Sequence, residues 1–276
     1  MKLRVVELLL VTTVPTMVLA EQGWPSPQLM AVTLIGGTLA AGGANAINMY
    51  IDRDIDKLMV RTQNRPLVTG ALTPRAAMIF AIALEVVAFG VLWAGANLLA
   101  AVLAVSATLF YVFVYSLWLK RTSKQNIVIG GAAGAMPVLV GWAAVTNSLG
   151  WTPIVLFVVI FLWTPPHFWA LAIRYADEYK AAGVPMMPVV VSLERTVRSM
   201  TAYAVLLTIS TLVLIPVANL GWIYGITALV FGVAFVIGSA RLGSDPSEKR
   251  AMRLFAFSIT YVSAIFVALT VDVLLR

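Results

Sequence analysis

Cysteine is absent and charge is scarce. Without cysteine there is no disulfide, no thiolate metal site and no thiol nucleophile. Only 11% of the residues are charged and 61% are hydrophobic, against roughly 25% charged in an average soluble domain. That deficit excludes an ordinary water-soluble enzyme. A single histidine, His167, excludes a multi-histidine metal centre. Apolar sequence takes the place of charge, and several stretches reach the roughly 20 residues that cross a bilayer as a helix. The expectation is an all-α, polytopic membrane protein forming one domain over residues 1–276.

Nine apolar spans are predicted, at about 5–20, 29–50, 76–95, 97–118, 126–146, 151–173, 199–219, 222–240 and 251–274. The first has the basic start and small-residue end of a signal peptide, but Glu7 inside its apolar run favours a retained helix. If nine spans alternate, every Lys and Arg except the terminal Arg276 falls on one side. By the positive-inside rule the amino terminus and charged loops are cytoplasmic and the carboxy terminus outside. The net charge of +7 follows from that asymmetry and does not signal nucleic acid. Trp24, Trp151 and Trp222 stand at the uncharged ends, as interfacial anchors do.

Polar chemistry concentrates after the second span, from Asn45 to Pro66. Asn48, Asp52 and Asp56 are spaced four apart. On a helix each step drifts only about 40° and rises about 6 Å, so they form one oxygen-rich stripe. Arg53, Lys57 and Arg61 repeat the spacing one residue later. Carboxylates without sulfur neighbours suit a hard cation such as Mg²⁺, which typically binds one or two carboxylates plus phosphate oxygens and water. Acid beside base at a membrane points to an anionic, diphosphate-bearing group with an apolar tail.

A second acidic cluster, Arg174 to Lys180, follows the sixth span on the same side and carries Asp177 and Glu178. Carboxylates on two helices would clamp a diphosphate from both ends. Arg61 and Arg65 are the leading phosphate candidates, followed by Arg121 and Lys124 in the 120–126 connection and by Arg174. His167 lies in Trp163-Thr-Pro-Pro-His-Phe-Trp169. Its two prolines free backbone groups at membrane depth. The ring has three open roles: ligating haem iron, bonding a haem propionate, or satisfying a freed carbonyl. Glu85 is the deepest intramembrane acid; Glu7 and Asp272 lie near span ends. The glycines at 36–37, 42–43, 130–131 and 134 are read as close helix packing.

The Asn-x3-Asp-x3-Asp pattern of Asn48, Asp52 and Asp56 resembles the first motif of the intramembrane aromatic prenyltransferases, the UbiA superfamily. Longer stretches narrow the resemblance to its protohaem IX farnesyltransferase branch. They are Asn48–Asp56, Met59–Leu67, Gln125–Pro137, Trp163–Trp169 and Glu178–Pro188. The resemblance runs across nearly the whole chain. It implies a UbiA-like bundle of about nine helices that uses Mg²⁺ to transfer farnesyl from farnesyl diphosphate to a vinyl group of haem b. Haem O, with a hydroxyethylfarnesyl tail, would be the product. It also implies catalytic Asp52, Asp56 and Asn48, with metal ligands Asp52, Asp56, Asp177 and Glu178. Implied partners are haem b, farnesyl diphosphate, the bilayer of the cell membrane and haem A synthase or oxidase assembly factors. One departure stands out: the second motif usually has two aspartates four apart, whereas here Asp177 and Glu178 are adjacent, between Tyr175 and Tyr179. Rival readings are prenylation of a quinone-precursor ring and a proton-coupled transporter.

Overall fold

The computed structural model describes residues 3–244 and 247–276, with side chains from 11 to 243 and from 247. The side chains of Lys2, Arg4 and Glu7 lie outside the described residues. Nine long helical elements are present among the described residues: α1 (Leu3–Glu21), α2 (Pro27–Ile51), α3 (Pro74–Gly95), α4 (Leu98–Thr122), α5 (Asn126–Thr146), α6 (Trp151–Arg174), α7 (Leu193–Val217), α8 (Trp222–Ser244) and α9 (Glu248–Leu274). Eight of them, α2 to α9, are long and apolar enough to cross a membrane. The protein is a multi-pass helical membrane protein.

Local chemistry explains the helix ends. Ser26, Thr73, Asn97, Ser192 and Ser247 cap five amino termini by accepting from a backbone N–H three residues on. Proline follows the cap in α2 and α3, where its missing N–H costs nothing. The seventh span starts at Leu193, well before the expected 199, and the fourth runs on past 118 to Thr122. In both cases the extra turns carry charge. Apolar content reads where a helix enters the membrane, whereas capping decides where it starts.

Consecutive helices pack side by side, and α1 closes the ring by packing on α9 and α5. Two cores result. One joins α1, α5, α6, α7, α8 and α9 around large side chains such as Trp169, Tyr224, Phe235 and Tyr261. The other, between α2, α3, α4 and α5, is built from Ala40, Ala88, Ala100, Ala101, Ala104, Ala143 and Ala144 with Leu92. Small residues let backbones approach where lipid supplies no hydrophobic drive. The outward faces carry exposed apolar side chains, including Ile79, Phe80, Val86 and Val87 on α3. Trp24, Trp151 and Trp222 are exposed at helix entrances. Between the two cores lies a cavity of about 480 Å³, lined from α1, α2, α4, α5, α6 and α9.

Candidate active site

The polar mouth of that cavity is built where α2 ends. The helical course survives the end of α2: the Asp52 N–H bonds to the Asn48 carbonyl at 2.9 Å, and the Asp56 N–H to the Asp52 carbonyl at 2.8 Å. A single turn, Arg53–Asp56, therefore keeps the three acceptors in line. All three are buried, and Asp52 has no exposure at all. Asn48 donates through Nδ2 to Asp52 Oδ2 at 2.7 Å and to Ser116 Oγ at 2.9 Å.

Buried carboxylates need cations. Lys120 supplies one to Asp52 Oδ2, and Arg65 Nη1 reaches Asp56 Oδ2 at 2.5 Å. Arg121 stands 3.8 Å from Asp52 Oδ1 but makes its short bonds to Asp54, both at 2.8 Å. Asp52 Oδ1 is buried and has no hydrogen-bond partner.

The expected basic row does not act as one unit. Arg53 turns back onto the Tyr50 carbonyl and ring, Lys57 is exposed, and only Arg61 lines the cavity. Arg65 and Lys120 line it too. Lys124 is exposed, Arg174 lies over the Tyr175 ring, and neither lines the cavity. Lys120 takes the place that the sequence assigns to Lys124. The cause is the winding of α4: from Phe110 to Leu119 it forms a π-helix, with the Lys120 N–H bonding to the Tyr115 carbonyl five residues back. This wider turn sets Ser116 against Asn48 and Lys120 against Asp52. Such segments collect at functional sites, and nothing in the apolar run marks one.

The second acidic cluster divides. Asp177 is exposed. Glu178 is partly buried, and its Oε2 is buried without a partner. Beside it Tyr179 lines the cavity. Burial pushes the Tyr179 phenol above its usual range, opposed by Arg61 and Lys120 and reinforced by Glu178. Glu178 therefore shares the field of the first cluster. Among the described residues no three His, Asp or Glu side chains stand close enough to hold a metal by themselves. Asp52, Asp56, Asp177 and Glu178 are thus not one ligand cage.

Farther in, His167 lines the cavity, stacked between Trp163 and Phe255 with ring centroids 4.2 and 4.5 Å away. Its Nδ1 lies 2.6 Å from Ser258 Oγ, and that hydroxyl donates to the Phe255 carbonyl at 2.6 Å. With the hydroxyl proton so committed, Nδ1 is the donor and Nε2 keeps its lone pair. The ring is held by a hydroxyl, not by a carbonyl freed at the prolines. Of the glycines, Gly131 packs as expected: a Cβ there would come within 2.9 Å of Thr164. Gly134 differs, because it lines the cavity and a Cβ there would meet open space.

Two buried acids with matched cations, of which Asp56 lines a largely apolar cavity, suit a diphosphate with a hydrocarbon tail. The sequence model of the UbiA prenyltransferase family matches residues 9–263. The chain belongs to the UbiA prenyltransferase family. Relatives named protoheme IX farnesyltransferase match end to end. Those from Parafrankia sp. and Frankia casuarinae are 54% and 53% identical, covering 100% and 99% of this chain and 89% and 96% of theirs. One from Pseudarthrobacter chlorophenolicus is 50% identical over 98% of this chain and 86% of its own. The UbiA fold recurs in solved structures. A digeranylgeranylglyceryl phosphate synthase superposes with a TM-score of 0.82 at 17% identity, over 99% of this chain and 95% of that one. A UbiA homologue from Archaeoglobus fulgidus bound to DMAPP and Mg²⁺ gives 0.68 at 19% identity, over 98% of both chains.

Proposed function

We propose that this UbiA prenyltransferase moves the farnesyl group of farnesyl diphosphate to a vinyl group of haem b, forming haem O and diphosphate. Residues 1–276 would act as one catalytic domain in the cell membrane, with the charged loops cytoplasmic. The observation that carries the reading is the continuity of one cavity from the Asp56, Arg61, Arg65 and Lys120 mouth to His167. The relatives' shared name supports the choice of acceptor.

The residues fit a divalent cation that is completed by substrate. Asp52 Oδ1 and Glu178 Oε2 are buried oxygens without a hydrogen-bond partner, and the donors are hard oxygens. Asp52 and Asp56, with Asn48 assisting, would hold Mg²⁺, and Glu178 is better placed than Asp177 to help from the other side. Bound there, Mg²⁺ would offset charge building on the diphosphate. Arg61, Arg65 and Lys120 neutralise further oxygens, and positive charge fixed where negative charge develops lowers the barrier to C–O cleavage. Beyond them the wall is apolar, including Ala40, Ala44, Ala104, Val140 and Ile160. It keeps water from the allylic cation until the vinyl carbon attacks. His167, with Nε2 unengaged by Ser258, is the residue suited to orient the acceptor.

The test is incubation of purified protein with farnesyl diphosphate and Mg²⁺, plus either haem b or 4-hydroxybenzoate, with products read by mass. Farnesylated haem is expected. Product from the benzoate alone would overturn the assignment. Diphosphate release in detergent, where no gradient exists, separates the enzyme from a transporter.

A further inference from the structure

Glu85 is an acid that the diphosphate site does not use. It sits near the middle of α3, whose one other charged residue is Arg75 in the first turn. Its Oε2 is buried with no hydrogen-bond partner. Its Oε1 accepts from Thr108 Oγ1 of α4 at 3.1 Å, and Thr108 lines the cavity. The backbone of α2 makes room for it: a Cβ on Gly43 would fall 2.5 Å from Oε1. Gly43 precedes Asp52 by nine residues, which at 1.5 Å per residue puts Glu85 about 13 Å deeper than Asp52. An acid at that depth is costly and marks a functional position.

We propose that Glu85, acting through the Thr108 hydroxyl, accepts the proton released when the farnesylated acceptor is hydroxylated. This rests on the haem reading above. The steps balance as follows. Farnesyl C1 leaves the diphosphate, which keeps the bonding electrons. The terminal vinyl carbon bonds to C1, and the adjacent vinyl carbon becomes cationic. A water oxygen bonds to that carbon and must lose one proton. Thr108 takes this proton while passing its own to Glu85, and Glu85 returns it to cavity water after product leaves. Without an acceptor the cation sheds a proton from the new CH₂ to the departing diphosphate, giving an alkene lighter by one water. The depth fits: two hydrogen bonds, Glu85 to Thr108 and Thr108 to water, reach about 6 Å, and the attacked carbon one contact beyond still lies within the roughly 13 Å of depth that separates Glu85 from Asp52. Glu85 is a positioning residue in this scheme, because it acts only through Thr108.

The experiment compares wild type, Glu85→Gln, Thr108→Val and Thr108→Ser in detergent with farnesyl diphosphate, Mg²⁺ and haem b. The readout is the mass ratio of hydroxylated to dehydrated product, which loosened packing alone would not shift. Glu85→Gln keeps the shape and an acceptor for Thr108 but cannot take up the proton. The ratio is expected to fall about tenfold or more in Glu85→Gln and Thr108→Val, and to recover in Thr108→Ser. A folded Glu85→Gln protein with the wild-type ratio and rate overturns the proposal. If that variant does not fold, equal ratios in Thr108→Val and Thr108→Ser overturn it. Wild type that farnesylates no haem at all overturns the functional reading, and this proposal with it.

Discussion

Residues 48–65 and residues 174–180 each span the end of a long helix, and each sets acids beside bases. The first segment buries Asp52 and Asp56 and brings a cation to each. The second leaves Asp177 exposed and turns only Glu178 inward. The difference lies in what packs above them. Asn48, Asp52 and Asp56 hold the α-helical course beneath α4, which delivers Ser116 and Lys120. Arg174 to Lys180 includes a short turn, Ala176–Ala181, held by its own loop and α6, and it is Tyr179, not an acid, that packs on the cluster containing Ile55 and Met59. A carboxylate does metal or phosphate work when it is desolvated and still paired, and proximity to other charges in sequence does not ensure either.

The sharpest test of that contrast removes the buried acids. Asp52→Ala and Asp56→Ala are expected to lower turnover by about 10³-fold each, with the helical circular dichroism kept. Turnover within tenfold of wild type in either variant would sink the role given to the first segment. Next come Lys120, in the last turn of α4, and Lys124, in the connection after it. Lys120→Ala is expected to cost about 10²-fold in turnover. It should also destabilise by about 3–5 kcal/mol, because a fully buried carboxylate loses its nearest cation. Lys124→Ala should stay within about twofold on the same scale, since an exposed charge perturbs little. Thermal unfolding followed with and without Mg²⁺ separates the two effects. A divalent cation should restore part of the stability of Lys120→Ala by taking over the pairing of Asp52.

Those two lysines also mark how far the sequence carries. The spacing of Asn48, Asp52 and Asp56 was readable because α2 and the next turn keep one helical course. Arg61 and Arg65 were readable from their nearness to it. The nine-helix order followed from apolar runs and the one-sided distribution of Lys and Arg. Sequence alone does not favour Lys120 over Lys124, because the π-winding from Phe110 to Leu119 shifts the facing of every residue after it, and a uniformly apolar run carries no trace of that shift. Gly134 read as a packing glycine like Gly131, because sequence does not show whether a missing side chain faces a helix or a void. The link from His167 to Ser258 joins residues 91 positions apart and has no local signature.

Within the second segment a smaller effect separates two adjacent acids. Glu178→Gln is expected to raise the Mg²⁺ concentration for half-maximal activity about threefold to tenfold, because it removes charge from a buried oxygen without a hydrogen-bond partner. Asp177→Asn should leave that concentration unchanged within about twofold. Equal effects would mean that the two acids share the site, and the contrast between exposed and buried positions would fail at the place where the sequence makes them look alike.

The smallest effect tests whether burial, and not pairing geometry, makes the first segment chemical. Asp54 sits two residues from Asp52 and has the best-formed pair of the cluster, two bonds of 2.8 Å to the Arg121 fork. Its side chain is 62% exposed, and that of Arg121 is 36% exposed. The Arg121 guanidinium holds the Asp54 carboxyl well below the usual carboxylate range. A depressed folded value means the pair stabilises above the unfolded value near 3.8 and loses that contribution only as pH falls below it. Solvent screens an exposed pair, so Asp54→Asn is expected to change stability at pH 7 by less than about 1 kcal/mol and turnover by less than about threefold. The stability gap between Asp54→Asn and wild type should close below about pH 4 in acid unfolding. A loss of turnover comparable to that of Asp52→Ala would show that an exposed, well-paired carboxylate also belongs to the reacting group, and burial would then no longer divide working acids from bystanders.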